Sequence, residues 1–200
     1  MTDTLSVGIV GCGDIARKAY VPGIRAFDNL TLAACADLDE QAAAGMGADL
    51  EVPVADSVET LLADPAIDIV LNLTPPAGHA PVNLMAINAG KHVHTEKPFA
   101  LSREDGQNVL QAAADKGLRV GCAPDTFLGA GLQTCRKILD DGWIGRPLAA
   151  TAFMLSNGPE GWHPNPDFFY APGGGPLLDM GPYYLTALIS LLGPVQTVCG

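Results

Sequence analysis

The sequence predicts an α/β fold that begins with a doubly wound parallel sheet. A short run of apolar and small residues at 5–10 leads directly into a glycine-rich turn, as expected of a strand that helices cover on both faces. Helix and strand patterns then alternate as far as residue 123, which is typical of consecutive βαβ units. Polar residues and prolines follow the ends of several predicted strands, the edge at which such sheets bind their ligands.

The first turn has the spacing G-x-G-x-x-A. Gly11 permits a tight turn, Gly13 lets the backbone approach a pyrophosphate, and Ala16 allows the next helix to pack closely on the strand. The phosphates would lie at a helix N-terminus, where free N–H groups favour negative charge. We expect Cys12 to be a small filler beside the cofactor and not a reactive thiol. The predicted cofactor-binding residues of this turn are Gly11, Cys12, Gly13, Asp14 and Ile15.

A second predicted strand at 30–36 ends at Asp37, which lies 21 positions after Ala16. This distance fits the carboxylate that accepts hydrogen bonds from the ribose hydroxyls of a dinucleotide. A carboxylate repels a 2′-phosphate, and the next residue is Leu38 and not an arginine. We therefore expect NAD in preference to NADP. The alternative interpretation of Asp37 is a solvated residue at a strand end.

The other elements of the first domain follow in order. A helix is expected over 14–27, with a kink or break near Val21 because the segment contains Pro22 and Gly23. The remaining helices are predicted at 40–46, 57–63, 79–89 and 102–116, and the remaining strands at 52–54, 67–73, 92–95 and 118–123.

Two of these strands run into polar loops. The strand at 67–73 ends at Thr74-Pro75-Pro76, which cannot continue a ladder of hydrogen bonds. The strand at 92–95, the fifth predicted in the sheet, ends at Glu96-Lys97-Pro98. A lysine at this place can hydrogen-bond a substrate hydroxyl or carbonyl, although a surface lysine at a strand end is the alternative. His79, like His92 and His94, is expected to be structural or near the cofactor.

Composition restricts the partners and the compartment. The net charge of −11 opposes binding to nucleic acid or to an anionic membrane surface. Since no apolar run reaches membrane-spanning length and the N-terminus lacks a basic start, we expect a soluble cytoplasmic protein. The five cysteines are odd in number and lack C-x-x-C spacing, which argues against a disulfide framework and a zinc site. No metal site is expected, because the histidines also lack ligand spacing.

The pattern changes after residue 124, which indicates two domains, 1–124 for the dinucleotide and 125–200 for substrate binding and oligomerisation. In the second domain we expect helices at 131–141 and 177–192, strands at 148–156 and 195–198, and a glycine- and proline-rich loop over 157–175.

The ordered set of motifs resembles the Gfo/Idh/MocA family, which is named for glucose-fructose oxidoreductase and inositol dehydrogenase. The set comprises the glycine turn, Asp37, Thr74-Pro75-Pro76, Glu96-Lys97-Pro98, and the run Gly-Gly-Gly-Pro-Leu-Leu-Asp-Met-Gly at 173–181. The resemblance implies a Rossmann domain followed by an α/β domain with a large, mostly antiparallel sheet. It also implies NAD(P)-dependent oxidation or reduction of a sugar or cyclitol at a carbon that bears a hydroxyl.

By the resemblance, the family's second domain continues well past residue 200. We therefore expect a truncated or partial gene product with an incomplete second domain, and a homo-oligomer when the chain has its full length.

The resemblance also assigns roles to three residues. Lys97 matches the motif lysine that contacts nicotinamide and substrate, and Asp179 matches the acidic residue that positions the substrate or its general base. Where family dehydrogenases often have a histidine as proton acceptor, four residues after that aspartate, this chain has Tyr183. Residues four apart share a helical face, so both side chains can point into one cleft. We expect either Lys97 or Tyr183 to take the alcohol proton, while the alternative is that Tyr183 only packs or hydrogen-bonds.

Further substrate contacts are expected from two places. Trp162 and His163 open a loop that can fold over a sugar ring, and His163 can substitute for the missing histidine, although a solvent-exposed histidine is the alternative. Asp125 is expected to line the substrate cleft.

Two other functions remain open at this point: a family member that uses NAD catalytically for elimination or glycosidic cleavage without net redox, and a non-catalytic nucleotide sensor.

Overall fold

Five short strands pair into one parallel sheet in the order β2-β1-β3-β4-β5. The computed structural model describes residues 4–161, 163, 166–171 and 173–199, without the side chain of Phe168. The chain divides into two compact units, Met1–Ala123 and Pro124–Gly200. The strands of the first unit are β1 (Leu5–Val10), β2 (Leu30–Ala36), β3 (Ile69–Asn72), β4 (His92–Thr95) and β5 (Val120–Cys122). The predicted doubly wound parallel sheet is therefore confirmed, and its order reverses between β1 and β3, where such sheets bind ligands.

Helices follow the strands of the first unit. They are α1 (Val21–Arg25), α2 (Glu40–Leu50), α3 (Val58–Ala63), α4 (His79–Asn88) and α5 (Arg103–Asp115). Alternate residues of the strands pack in two separate apolar clusters: Val7 and Ile9 lie with Met46, whereas Val10 lies with Ile87. The sheet is thus buried on both faces, which explains the continuous apolar runs of its strands.

The expected irregularity near Val21 is a π-helical segment, Ala16–Tyr20, that ends directly before α1. The Val21 N–H donates to the Ala16 carbonyl, five residues earlier. Because Pro22 has no N–H, it cannot donate an α-helical hydrogen bond to the preceding turn. Regular α-helical hydrogen bonds therefore begin only after Pro22.

The predicted strand at 52–54 is wrong. Only Val54 pairs with β2, in a single parallel bridge to Cys35. The Cys35 N–H donates to the Pro53 carbonyl and the Ala55 N–H donates to the Cys35 carbonyl, each at 2.8–2.9 Å, but Pro53 has no N–H with which to extend the ladder. Glu96-Lys97-Pro98 therefore follows the fourth strand of the chain and not the fifth.

The second unit is helical in the residues that the structure describes. Its helices are α6 (Ala130–Asp140), α7 (Pro176–Asp179) and α8 (Gly181–Leu192), with 3₁₀ turns at Thr126–Leu128 and Pro166–Tyr170. The helix predicted over 177–192 is interrupted at Met180, between α7 and α8, and Pro182 at the start of α8 has no N–H to donate to the Leu178 carbonyl.

The predicted strands at 148–156 and 195–198 are also wrong. No strand is present among the described residues of this unit, and the predicted antiparallel sheet is not seen there. Leu148, Phe153 and Leu155 are 85%, 75% and 91% exposed. An extended segment needs the backbone of a neighbouring strand to form a ladder, and local propensity alone does not supply one. Across the described parts of the chain, no helix combines the length and apolar character needed to cross a bilayer.

Candidate active site

The two glycines of the first turn have different surroundings. Gly11 has φ = 102°, and a Cβ on it would lie 2.6 Å from the Leu73 carbonyl carbon and oxygen and 2.8 Å from the Thr74 nitrogen. Only glycine fits this conformation and this close approach to the end of β3. A Cβ on Gly13 would meet no atom within 4 Å. The backbone of Gly13 thus faces open space, as a cradle for a pyrophosphate requires.

Asp37 joins the end of β2 to the same turn. Its Oδ2 accepts a hydrogen bond from the Cys12 N–H at 2.7 Å, and its Oδ1 accepts one from the Asp39 N–H at 2.9 Å. A carboxylate has about four acceptor positions, so both oxygens can still accept hydrogen bonds from ribose hydroxyls. Leu38, beside it, is 95% exposed.

Arg17 connects the turn to the next βα unit. Its Nη1 donates to Asp49 Oδ2 at 2.8 Å, its Nη2 to the Ala42 carbonyl at 3.1 Å, and its Nε to the Cys12 carbonyl at 3.4 Å. One contact to the glycine turn and two to α2 fix the orientation of the turn relative to that helix. The sequence analysis did not single out Arg17, because its partners lie up to 32 positions away.

The Cys12 thiol supports the interpretation of this residue as a filler. The side chain is 1% exposed and its Sγ donates to the Ala36 carbonyl at 3.6 Å. A hydrogen bond with the Cys35 thiol, together with burial, raises the pKa of Cys12 well above its ordinary value. The protonated thiol is a poor nucleophile at neutral pH.

A buried asparagine organises the loop that contains Thr74, Pro75 and Pro76. Asn72 is fully buried, and its Oδ1 accepts hydrogen bonds from the Thr74 N–H at 3.3 Å and the Thr74 hydroxyl at 2.7 Å. Its Nδ2 donates to the His79 carbonyl at 2.9 Å and to Asn83 Oδ1 at 2.8 Å. This single side chain therefore ties the end of β3 to the beginning of α4.

His79 joins the two loops that follow β3 and β4. It is 1% exposed, and its Nδ1 and Nε2 lie 2.5 Å from the Pro98 carbonyl oxygen and 2.8 Å from the Thr74 carbonyl oxygen. Because both ring nitrogens contact backbone carbonyls, the structural alternative for His79 is favoured over direct cofactor contact. Sequence reasoning missed its partner Asn72 as a site residue, although a polar residue in an otherwise apolar strand is the signal that marks it.

Glu96, Lys97 and Pro98 follow β4 in a turn with a cis Lys97-Pro98 peptide bond. Glu96 Oε1 accepts a hydrogen bond from the Tyr20 hydroxyl at 2.8 Å, and its Oε2 accepts one from the Lys97 N–H at 2.9 Å. Lys97 is half-buried and not fully exposed. Tyr20 was not identified from the sequence, since 76 positions separate it from Glu96.

The remaining predicted residues of the first unit also follow the carboxyl ends of the strands, and most of them are exposed. Asp14 forms an exposed ion pair with Lys18, Ile15 is 44% exposed, Pro75 is exposed, and Pro76 opens a 3₁₀ turn before α4. Direct contacts link the others: Gly11 packs on Thr74, Cys12 bonds Asp37, and His79 bridges Thr74 and Pro98.

Asp179 and Tyr183 belong to the second unit, where both are half-buried. Asp179 is the last residue of α7 and Tyr183 is the third residue of α8. The two residues do not lie in one continuous helix, because α7 ends at Asp179 and α8 begins at Gly181. That their side chains share one face stays a prediction.

The other substrate residues predicted in the second unit have separate positions. His163 packs edge-on against Phe169, with ring centroids 5.0 Å apart, and is half-buried and not solvent-exposed. Asp125 is exposed and accepts the Leu128 N–H through its backbone carbonyl. Trp162 lies outside the described residues. Among the described residues no group of three or more His, Cys, Asp or Glu side chains is arranged to hold a metal ion.

The fold and the geometry of the glycine turn define a class of protein, and comparison with known families identifies it. Residues 5–123 match the oxidoreductase family with an NAD-binding Rossmann fold, and residues 132–200 match the Gfo/Idh/MocA C-terminal domain. The chain belongs to the Gfo/Idh/MocA oxidoreductase family, as its motifs predict.

Similar proteins include enzymes with stated sugar substrates. The chain is 33% identical over 194 residues to the dTDP-3,4-didehydro-2,6-dideoxy-α-D-glucose 3-reductase of Streptomyces antibioticus, covering 95% of this chain and 57% of the relative. It is 33% identical over 182 residues to the 1,5-anhydro-D-fructose reductase of Ensifer adhaerens, covering 86% and 52% respectively. The chain thus spans about half the length of these curated relatives.

A similar solved structure is the biliverdin reductase of Synechocystis sp. PCC 6803 in complex with biliverdin and NADP⁺. It has 28% sequence identity and a TM-score of 0.74, and the match covers 96% of this chain and 60% of that one.

Proposed function

We propose that the protein transfers a hydride between NAD(P) and one carbon of a sugar or cyclitol. That carbon bears a hydroxyl in the reduced substrate and is a carbonyl in the oxidised one. One observation carries the proposal. The open backbone at Gly13, the Asp37 carboxylate and the strand-end Lys97 all follow the carboxyl ends of strands of one parallel sheet, which is where this fold binds a dinucleotide. The names of two relatives, both reductases of sugar compounds, support the substrate class.

We propose NAD as the preferred cofactor. Asp37 already accepts the Cys12 N–H and has acceptor positions left for the ribose hydroxyls, whereas its negative charge would repel a 2′-phosphate. Arg17, the cation of the glycine turn, is engaged by Asp49 and two backbone carbonyls. The backbone of Gly11 to Ile15 would bind the pyrophosphate.

The nicotinamide, when bound, supplies the hydride acceptor or donor. In the oxidation direction the C–H bond of the alcohol breaks with its electron pair, and the O–H proton passes to Lys97 or Tyr183. Lys97 also hydrogen-bonds the reacting oxygen and so orients the carbon that loses the hydride. Asp179 positions the substrate or the group that takes the proton. Asp125, Trp162 and His163 complete the proposed substrate contacts.

The domain assignment is part of the same proposal: residues 1–124 bind the dinucleotide and 125–200 contribute to substrate binding. We further propose a homo-oligomer for the longer protein, following the family resemblance. A cytoplasmic compartment is supported by the five cysteines, each of which is a free thiol.

A titration of the chain with NADH and NADPH, followed by fluorescence, tests the cofactor assignment. We expect NADH to bind more tightly, and Asp37→Ala to weaken NADH binding about tenfold or more while NADPH binding changes less, because the variant removes both the ribose acceptor and the repulsive charge. The control is Asp56→Ala, which removes an exposed carboxylate of the same unit outside the glycine turn. Tighter binding of NADPH by the unaltered chain would contradict the preference for NAD.

Turnover tests the reaction itself. With a 3-keto sugar nucleotide as substrate, absorbance at the reduced nicotinamide band should fall in proportion to product formed. Product formed at constant NADH would instead identify a redox-neutral elimination.

A further inference from the structure

Both oxygens of the Glu96 carboxylate are used by groups from different parts of the first unit. Oε2 accepts the N–H of the adjacent Lys97 at 2.9 Å, and Oε1 accepts the Tyr20 hydroxyl at 2.8 Å. The backbone N–H of Glu96 donates to the Asn72 carbonyl at 2.9 Å. The main chain of Glu96 is therefore fixed by the sheet, while its side chain is fixed through Tyr20.

Tyr20 reaches this position from the π-helical segment that follows the glycine turn. It is the last residue of Ala16–Tyr20, and its ring packs against the ring of His94, with centroids 6.3 Å apart. A π-helical turn holds an extra residue compared with an α-helical turn, and such segments are frequent at functional sites.

We propose that Tyr20 is a positioning residue for Lys97 and acts through the Glu96 carboxylate. The inference rests on the proposed function, in which Lys97 contacts the reacting oxygen. The Tyr20 hydroxyl holds the carboxylate in one rotamer, and the carboxylate holds the N–H of Lys97. The turn that carries the lysine thereby keeps a single orientation relative to the helix that begins at the dinucleotide site. Rigid support of this kind matters because small displacements of a reacting group lower the rate strongly.

Amide hydrogen exchange in the Tyr20→Phe variant tests the contact without any cofactor. This change removes one oxygen and retains the ring against His94. We expect the Lys97 amide to exchange about tenfold faster, because the carboxylate that accepts its hydrogen bond is then free to adopt other rotamers. The Val93 amide, which donates to the Arg119 carbonyl within the sheet, should keep its rate. The matched control is Tyr170→Phe, which removes a tyrosine hydroxyl bonded to another carboxylate, that of Glu160, and should leave Lys97 unaltered.

An unchanged Lys97 rate in Tyr20→Phe overturns the proposal. Equal acceleration at Lys97 and Val93 also overturns it, because the hydroxyl would then stabilise the whole sheet and not the turn.

Kinetics of the same variant test the consequence for catalysis. We expect kcat to fall about tenfold while the Kd for NADH stays within twofold, since Tyr20 supports the lysine and does not bind the dinucleotide. A fall in NADH affinity with unchanged kcat would overturn the proposal. If the unaltered chain binds no NADH, the proposed function is wrong, whereas the exchange rates still decide whether Tyr20 holds the turn at Lys97.

Discussion

At the scale of single residues, the site depends on side chains that bind the protein's own backbone. Asn72 and His79 are buried and use their side chains to bind nearby backbone, and Arg17 binds the backbone of the glycine turn and of α2. Each buried polar group of this kind is stabilising only while its partners remain in place. The proposed catalytic groups are therefore held by a shell of residues with structural roles.

The two glycines of the turn give a matched pair of variants. Gly11→Ala should destabilise the fold by roughly 1–3 kcal/mol or more, because alanine is strained at positive φ and its Cβ would overlap the backbone of Leu73 and Thr74. Gly13→Ala should leave the free energy of unfolding within about 0.5 kcal/mol of the unaltered value, since its Cβ has open space.

NADH affinity separates the two effects. Gly13→Ala should weaken binding although the fold is intact, because the added methyl group occupies the space proposed for the pyrophosphate. Denaturant unfolding and an NADH titration measure the pair. Wild-type affinity in Gly13→Ala would show that the dinucleotide does not approach this backbone.

At the scale of elements, helix starts follow a simple local rule. Asp39, Ser57 and Ser102 each accept backbone N–H groups of the helix that follows, as expected of N-cap residues. These caps fix where α2, α3 and α5 begin, and so fix the lengths of the connections from the preceding strands.

The cap of α5 can be tested directly. Ser102 Oγ accepts the Asp105 N–H at 3.0 Å, so Ser102→Ala should lower the free energy of unfolding by about 1 kcal/mol. Ser102→Thr retains both the acceptor at the cap and the hydroxyl that donates to Asp105, and it should be close to the unaltered chain. Thermal or urea unfolding measures both, and equal losses in the two variants would show that the cap bond is not the cause.

The sequence predicts the elements of the first unit better than those of the second, for a physical reason. Strands such as Ile69–Asn72 are mostly apolar, short and bounded by turn residues, and their partners are supplied by the repeated βαβ pattern. The segment 148–156 has similar local propensity but no neighbouring strand among the described residues. Local pattern indicates what a segment can form, whereas pairing decides what it does form.

The candidate site divides in the same way. Gly11, Asp37 and Lys97 follow strands at motif spacing, so the sequence identifies them. Tyr20 depends on a π-helical segment and on a partner 76 positions away, and no periodicity in the sequence indicates such a contact. Asp179 and Tyr183 lie in two helices that meet beside Pro182, which lacks a backbone N–H. The helical spacing of the apolar residues does not indicate this break.

At the scale of the whole molecule, the first unit has its own core and its own proposed site. Both apolar clusters consist of residues from this unit, and its sheet is covered on both faces. A chain that ends at residue 123 should therefore fold cooperatively and bind NADH with a Kd within a few-fold of that of the 200-residue chain. Circular dichroism and the NADH titration measure this, and loss of cooperative unfolding would contradict it.

The separate supports of Asp37 and Lys97 have a practical consequence for protein engineering. Asp37 is held through the Cys12 amide, whereas the turn at Lys97 is held through His79 and Glu96. Cofactor preference can thus be redesigned at the first place without disturbing the scaffold of the second. We expect a library that varies Asp37 and Leu38 together, screened for NADPH binding, to alter the proposed cofactor preference and to leave the hydrogen bonds of the turn at Lys97 in place.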